Sequence, residues 1–373
     1  MKARPVVGIA IIQSILLLGH LFIYRTWTVF CGAPGPTALL ALRVSLAVLA
    51  FSFVAAALLS YYFEGGLVTA LYRVAAVWLG FLNYLFFGAV LTQMAWGVME
   101  LARLDHNPAL QRPLLGWIGI GLGVATAVYG LINARWVRVR RVSITLAGLP
   151  ASWRGRTALL ASDLHLGHIN GVGFSRRVVA MAARLKPDVI LLAGDFFDGT
   201  RVDPEAQAAP FAQLSSPLGV FFATGNHDEF GDTPGYLAAL KRAGVRVLAN
   251  EKIIADGLQI LGIPNHDAAS PIRIQSALDS MQIDRTRASI LISHVPNRLP
   301  IVEQAGVGLQ VSGHTHGGQL APFTWITRRI FGRFTYGLHA FGALQVFTSY
   351  GAGTWGPPMR VGTSPEVVLI RFK

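Results

Sequence analysis

The 373-residue sequence holds a single cysteine, Cys31, so no disulfide can form within the chain, which suits a reducing compartment. Charge is scarce too: 14% of residues are charged against 53% hydrophobic, a balance too apolar for an ordinary soluble protein. Acids are the scarcer sign, 19 against 32 Lys and Arg, for a net charge of +13 at pH 7. The surplus suits an anionic membrane surface, an anionic substrate or nucleic acid, and composition does not choose among them. No internal repeat and no low-complexity linker interrupts the chain.

The want of charge is concentrated at the front. Residues 5–24 contain no Asp, Glu, Lys or Arg, and 38–63, 67–99 and 114–132 complete four segments long enough to cross a hydrocarbon core of ~30 Å. Met1-Lys2-Ala3-Arg4 imitates the start of a signal peptide, but three further apolar segments make a retained anchor the better expectation. Residues 1–134 are therefore expected to form a transmembrane domain of four helices. Lys2, Arg4, Arg135, Arg138, Arg140 and Arg141 flank one side and Arg25, Arg103 and Arg112 the other, which places everything after Arg135 on the cytoplasmic side of the inner membrane. Arg43 and Arg73 lie near segment ends, where a long side chain can snorkel. Gly119-Ile120-Gly121-Leu122-Gly123 has no strand before it, so close helix packing through Gly119 and Gly123 is expected rather than a nucleotide loop.

After Arg141 short apolar runs alternate with amphipathic ones. Residues 142–146, 157–162, 188–193, 220–224, 245–249, 258–263, 289–293, 309–312 and 365–370 read as strands, and 174–186, 204–214, 234–243, 272–281 and 298–305 as helices. This predicts an α/β domain over 135–373 with mostly parallel inner strands.

At the ends of five of those strands stand acids, an amide and imidazoles: Asp163 and His165, Asp195, Asn226, His294, and His314 with His316. Strand ends of an open α/β sheet gather in one crevice, so the seven converge. Asp163 and His165, two residues apart on an extended backbone, would leave the same face and hold one cation from two sides. The set is oxygen and nitrogen without thiolate, which suits manganese foremost, or iron, zinc or cobalt, and the imidazoles argue against magnesium or calcium. Seven ligands exceed one ion's needs and match two ions sharing a carboxylate.

The series Asp163-x-His165, Gly194-Asp195-x-x-Asp198, Gly225-Asn226-His227-Asp228, His294 and Gly313-His314-x-His316 resembles the calcineurin-like metallophosphoesterases, from about residue 142 onward. The resemblance implies a two-sheet sandwich flanked by helices and a two-metal hydrolase. It implies a first ion on Asp163, His165 and His316, a second on Asn226, His294 and His314, and Asp195 bridging them. A metal-activated hydroxide would attack phosphorus, with His227 protonating the leaving oxygen and Asp198 orienting His227.

Gly317-Gly318-Gln319, Gly351-Ala352-Gly353, Pro357-Pro358-Met359-Arg360 and Pro365-Glu366-Val367 are similar to the bacterial membrane-anchored branch. That branch resembles enzymes that cleave the pyrophosphate of UDP-2,3-diacylglucosamine in lipid A synthesis, and other phosphodiesterases. Residues 322–336 (PFTWITRRIFGRFTY) are expected to form a membrane-facing lip beside the site, with Trp325, Arg328, Arg329 and Arg333 contacting a lipid-linked substrate. Competing expectations are an anchored nucleotide phosphodiesterase or nuclease, against which no nucleic-acid-binding module is visible, and a non-catalytic sensor. His168, His266 and His339 match no ligand position.

Overall fold

The computed structural model describes residues 3–103 and 107–373, with residues 3–5 by backbone alone; Lys2 and His106 lie outside them. The chain forms two compact units, Met1–Ile132 with Gly356–Met359, and Asn133–Trp355 with Arg360–Lys373.

The first unit contains helices α1 (Ala3–Phe30), α2 (Pro36–Tyr62), α3 (Gly66–Leu101) and α4 (Pro108–Ala134). All four are long and apolar enough to cross a membrane. At ~1.5 Å per residue the 36-residue α3 runs to about 54 Å, well beyond one hydrocarbon core. Prolines open α2 and α4, where the missing N–H would have no helical partner anyway.

The glycines of α4 let its backbone touch α3. A Cβ on Gly119 would stand 2.8 Å from the Gly88 carbonyl oxygen, and one on Gly123 would stand 2.8 Å from that of Tyr84. Thr92 donates from Oγ1 to Gly88 O at 2.9 Å and to Leu115 O at 3.2 Å, tying the pair at the same level. His20 is buried and accepts at Nε2 from Trp78 Nε1 at 2.9 Å. Arg43 donates to the Tyr24 hydroxyl at 2.7 Å, so its charge meets a neighbouring helix.

The second unit runs, in order, β1 (Arg138–Ile144), β2 (Thr157–Ala161), α5 (Val172–Leu185), β3 (Val189–Ala193), α6 (Pro204–Ala208), β4 (Val220–Ala223), α7 (Thr233–Arg242), β5 (Arg246–Val247), β6 (Glu251–Ala255), β7 (Leu258–Gly262), α8 (Asn265–Ala268), α9 (Pro271–Ser280), β8 (Ser289–Ile292), α10 (Leu299–Gln304), β9 (Leu309–Ser312), α11 (Phe323–Phe331), β10 (Gly337–Phe341), β11 (Leu344–Thr348) and β12 (Glu366–Phe372). The strands make two six-stranded sheets, ordered β1-β12-β2-β3-β4-β5 and β10-β11-β9-β8-β7-β6. β2 through β5 are parallel, as are β7, β8, β9 and β11.

Alternation along the strands sorts the core. Ala158 and Leu160 of β2, with Leu191 of β3, face Ile260, Ile290 and Val311 of the other sheet. Leu159, Ile190 and Leu192 face outward onto Val178 and Ala182 of α5 and Leu240 of α7. Leu261 and Leu291 pack outward against Ile274 and Leu278 of α9 and Val302 of α10. A two-sheet sandwich covered by helices on both outer faces follows, after the four apolar helices in the chain.

Several sequence expectations differ in detail. The strand expected at 245–249 is cut to Arg246–Val247, and the helix at 204–214 shortens to α6 followed by a 3-10 turn, Ala209–Gln213, in which Pro210 lacks the N–H a continuing helix needs. β6, β10 and β11 were not expected. Residues 322–336, expected as a lip, hold α11 over their first turns.

Candidate active site

Five strand ends of the two sheets meet. Asp163 follows β2, Asp195 follows β3, Asn226 follows β4, His294 follows β8 and His314 follows β9. Three overlapping groups of ligand atoms each lie within 4.8 Å: Asp163, His165 and His316; His165, Asp195 and His227; Asp195, His294 and His314. Asp195 is central, with Oδ2 at 3.1 Å from His294 Nε2 and 3.7 Å from His165 Nε2. Asp163 Oδ1 lies 3.4 Å from His316 Nε2 and 3.9 Å from His294 Nε2. Asn226 Oδ1 stands 3.0 Å from His314 Nδ1.

The backbone here departs from the extended geometry expected for Asp163 and His165. Both have left-handed φ, +52° and +46°, as do Asp195 (+51°), His314 (+68°) and His316 (+47°). Such conformations are costly for residues with a Cβ and persist where the surroundings over-determine them. Main-chain bonds do so here: Asp163 N donates to Gly194 O and His165 N to Asp195 O, both at 3.0 Å. Glycine completes the cradle. A Cβ on Gly313 would stand 2.1 Å from Asp163 Oδ2, and one on Gly225 would stand 2.1 Å from Asp195 Oδ1.

The donor set fits cations. His165 Nε2 and His316 Nε2 face each other at 3.0 Å, and His294 Nε2 stands 3.1 Å from Asp195 Oδ2. Burial lowers His165 to about 3, and burial with the Arg360 charge holds His316 well below the usual imidazole range. Both rings are therefore neutral at pH 7. Burial works against a charge on His294 as well, but Asp195 and then Asp163 overcome it and raise that ring to about 10. Desolvation lifts Asp163 to about 6; it pushes Asp195 the same way, yet His294 and His165 hold that carboxyl well below its usual range.

His227 borders the cluster. Its N–H donates to Asp195 Oδ1 at 2.8 Å, and its ring Nδ1 bonds the main-chain oxygen of Asp198 at 2.9 Å. Asp198 thus meets the His227 ring through its main-chain carbonyl, while its carboxylate accepts from Thr200 N and Oγ1. The rings of Phe230 and Trp355 lie 5.3 and 5.7 Å from His227, and Phe331 lies 6.0 Å from His314.

Two supporting residues escaped sequence reasoning. Asp228, fully buried, accepts from Phe197 N at 2.9 Å and Gly225 N at 2.8 Å, locking the Asp195 and Asn226 loops together. Its place in Gly225-Asn226-His227-Asp228 was the available signal. Arg360, also fully buried, donates to the carbonyls of His316, Tyr350 and Gly353 and to His316 Nδ1. Trp325, Arg328, Arg329 and Arg333 are exposed on α11 and the turn after it. His168 is buried, His266 pairs with Glu229 at 3.1 Å and His339 bonds Tyr336 O at 3.0 Å; none belongs to the three ligand groups.

Residues 157–318 match the family described as calcineurin-like phosphoesterase. A Danio rerio transmembrane protein with metallophosphoesterase domain is 32% identical over 66% of this chain and 60% of its own length. An uncharacterized metallophosphoesterase of Campylobacter jejuni is 28% identical over 66% of both chains, and one of Aquifex aeolicus is 30% identical over 68% of this chain and 98% of its own. The chain thus spans about two thirds or less of the first two relatives' length and nearly all of the third. With that coverage at 30% identity, and the ligand-bearing strand ends inside the matched region, the chain belongs to the calcineurin-like metallophosphoesterase family.

Proposed function

We propose that the protein is an integral membrane phosphoesterase using two divalent ions, manganese foremost, to hydrolyse a phosphodiester or pyrophosphate in a lipid-linked substrate such as UDP-2,3-diacylglucosamine. The observation that carries the reading is the convergence of Asp163, His165, Asp195, His294, His314 and His316, whose ligand atoms fall in overlapping groups within 4.8 Å. Asp163, His165 and His316 would hold one ion and Asn226, His294 and His314 the other, with Asp195 between. Ions bound there supply Lewis acidity, neutralising phosphoryl oxygens and lowering the pKa of water.

The chain's own groups supply the proton and the orientation. With Nδ1 bonded to Asp198 O, His227 presents Nε2 to the substrate, and a proton carried there is placed to reach the leaving oxygen. Phe230 and Trp355 stand beside that ring. The exposed Trp325, Arg328, Arg329 and Arg333 supply an apolar and cationic approach suited to an anionic lipid. Four membrane-length helices and the flanking arginines support an inner-membrane protein with its catalytic unit in the cytoplasm.

The test is hydrolysis by the purified full chain with Mn²⁺ of UDP-2,3-diacylglucosamine, a nitrophenyl phosphodiester and single-stranded DNA. UMP release from the lipid nucleotide is expected to exceed turnover of the soluble substrates. Cleavage of DNA alone would turn the reading to an anchored nuclease.

A further inference from the structure

We infer that α11 is an interfacial helix that lies in the headgroup plane of an anionic bilayer and brings the metal site to the lipid surface. The inference deepens the lipid-substrate reading and rests on it for its purpose, while the contact itself stands on the helix. α11 packs directly on the turn that carries His316: a Cβ on Gly318 would stand 2.6 Å from Thr324 Cα and from Phe323 O. Thr315, between the two histidines, donates from Oγ1 to Thr335 O at 2.8 Å just beyond the helix. Whatever holds α11 therefore holds the crevice.

At 100° per residue Thr324, Thr327 and Phe331 share the inward face, and all three are partly buried. Phe323, Ile326 and Ile330 stand side by side on the outer surface, 41%, 48% and 69% exposed, and Trp325, 70% exposed, stands on the other side of Arg329. No residue of this helix is fully buried. A water-facing helix does not gain from such a stripe, whereas a lipid interface does.

Charge selects the occupant. Arg328, Arg329 and Arg333 lie on or next to the helix, and no Asp or Glu occurs anywhere between Glu303 and Glu366. A protein surface of mixed charge finds no acid here to pair with, while a sheet of anionic headgroups meets the arginines and takes the isoleucines and Trp325 on either side of Arg329. The same chain carries four membrane-length helices, so a bilayer is always at hand.

Nitroxide labels on the full chain in lipid nanodiscs test this without turnover. In a Cys31→Ser background, labels are placed by Ile326→Cys or Ile330→Cys, with Lys241→Cys on α7 as the aqueous reference. In discs of phosphatidylcholine mixed with phosphatidylglycerol, positions 326 and 330 should lose access to a water-soluble nickel chelate and gain access to oxygen, while position 241 does the reverse. Arg328→Gln, Arg329→Gln and Arg333→Gln together, or discs of phosphatidylcholine alone, should restore nickel access. Nickel access at 326 and 330 equal to that at 241 in both discs overturns the inference. Labels shielded from both reagents overturn it too, since protein then covers the helix. A chain that shows the lipid pattern but hydrolyses none of the lipid substrates fails the functional reading alone.

Discussion

The guanidinium of Arg360 donates to both the carbonyl oxygen and the ring Nδ1 of His316, at 3.0 Å each. The ring and main chain of His316 are thereby held by a fork that also gathers the carbonyls of Tyr350 and Gly353, at 2.8 and 2.6 Å. Arg360→Lys keeps a charge but not the fork. It should lower bound metal below two ions per chain by elemental analysis and lower Tm, with a loss of roughly 2–3 kcal/mol from the stranded carbonyls. Full metal content with an unchanged Tm would show that the fork is dispensable.

Gly225→Ala tests the crevice through sterics alone. The new Cβ would meet Asp195 Oδ1 at 2.1 Å and Asp195 N at 2.4 Å, and the second is backbone that cannot swing away. We expect metal loss approaching that of Asp195→Ala, with turnover abolished in both. Retention of two ions in Asp195→Ala would rule out a shared carboxylate.

Removing the His227 ring should leave metal in place and cut turnover by roughly 10²–10⁴-fold. The deficit should shrink for a nitrophenyl ester, whose leaving oxygen needs little protonation. Measuring kcat on a nitrophenyl and an alkyl phosphodiester decides it, and equal deficits would assign the ring a binding role.

Metal uptake should release a proton at neutral pH. Asp195 and Asp163, working against burial, raise His294 to about 10, so its ring is charged in the metal-free site at pH 7, whereas His165 and His316 are already neutral. A ligand must be deprotonated, so affinity should rise with pH, by about tenfold per unit if that single proton dominates. The same raised value means the charged ring stabilises the metal-free fold fully below ~6.5 and ceases to do so as pH rises through about 10. Calorimetry in buffers of different ionisation heat should count one proton, lost in His294→Asn. A count of zero in the unaltered chain would contradict the charged ring.

Gly119→Val should force α3 and α4 apart, because its Cβ would stand 2.8 Å from Gly88 O. A cost of about 1–3 kcal/mol is expected, read as a lower midpoint in detergent unfolding. Gly121→Val meets nothing within 4 Å and serves as control.

The ligands were legible because each stands where an apolar run stops at a metal-binding side chain. That signal survives any detail of the loops. What the loops do to the backbone was not legible: nothing in Asp163-x-His165 announces left-handed φ at both residues, which comes from bonds to Gly194 and Asp195 far along the chain. The β6-β7 hairpin did carry a signal, Asp256-Gly257 with both φ positive, as a tight primed turn requires. The β10-β11 hairpin turns at Gly342-Ala343, again with Gly342 at positive φ. Arg360 was visible only as part of a motif, since its role depends on burial that a single residue in sequence cannot display. α11 hid because Pro322 and a crowd of bulky residues read as a rim, although Phe323, Ile326 and Ile330 already kept helical spacing.

β12 lies between β1 and β2, pairing in parallel with the first and antiparallel with the second. The strand that joins the two earliest strands of this sheet thus leaves the ribosome after all its other strands. Residues 138–161 wait for Glu366–Phe372 with a gap in their sheet, so the first four helices can be threaded into a bilayer long before the phosphoesterase unit closes. Synthesis order separates the two halves in time: an embedded chain that lacks β12 carries Asp163 and Asp195 on a sheet whose β1 and β2 have no strand between them.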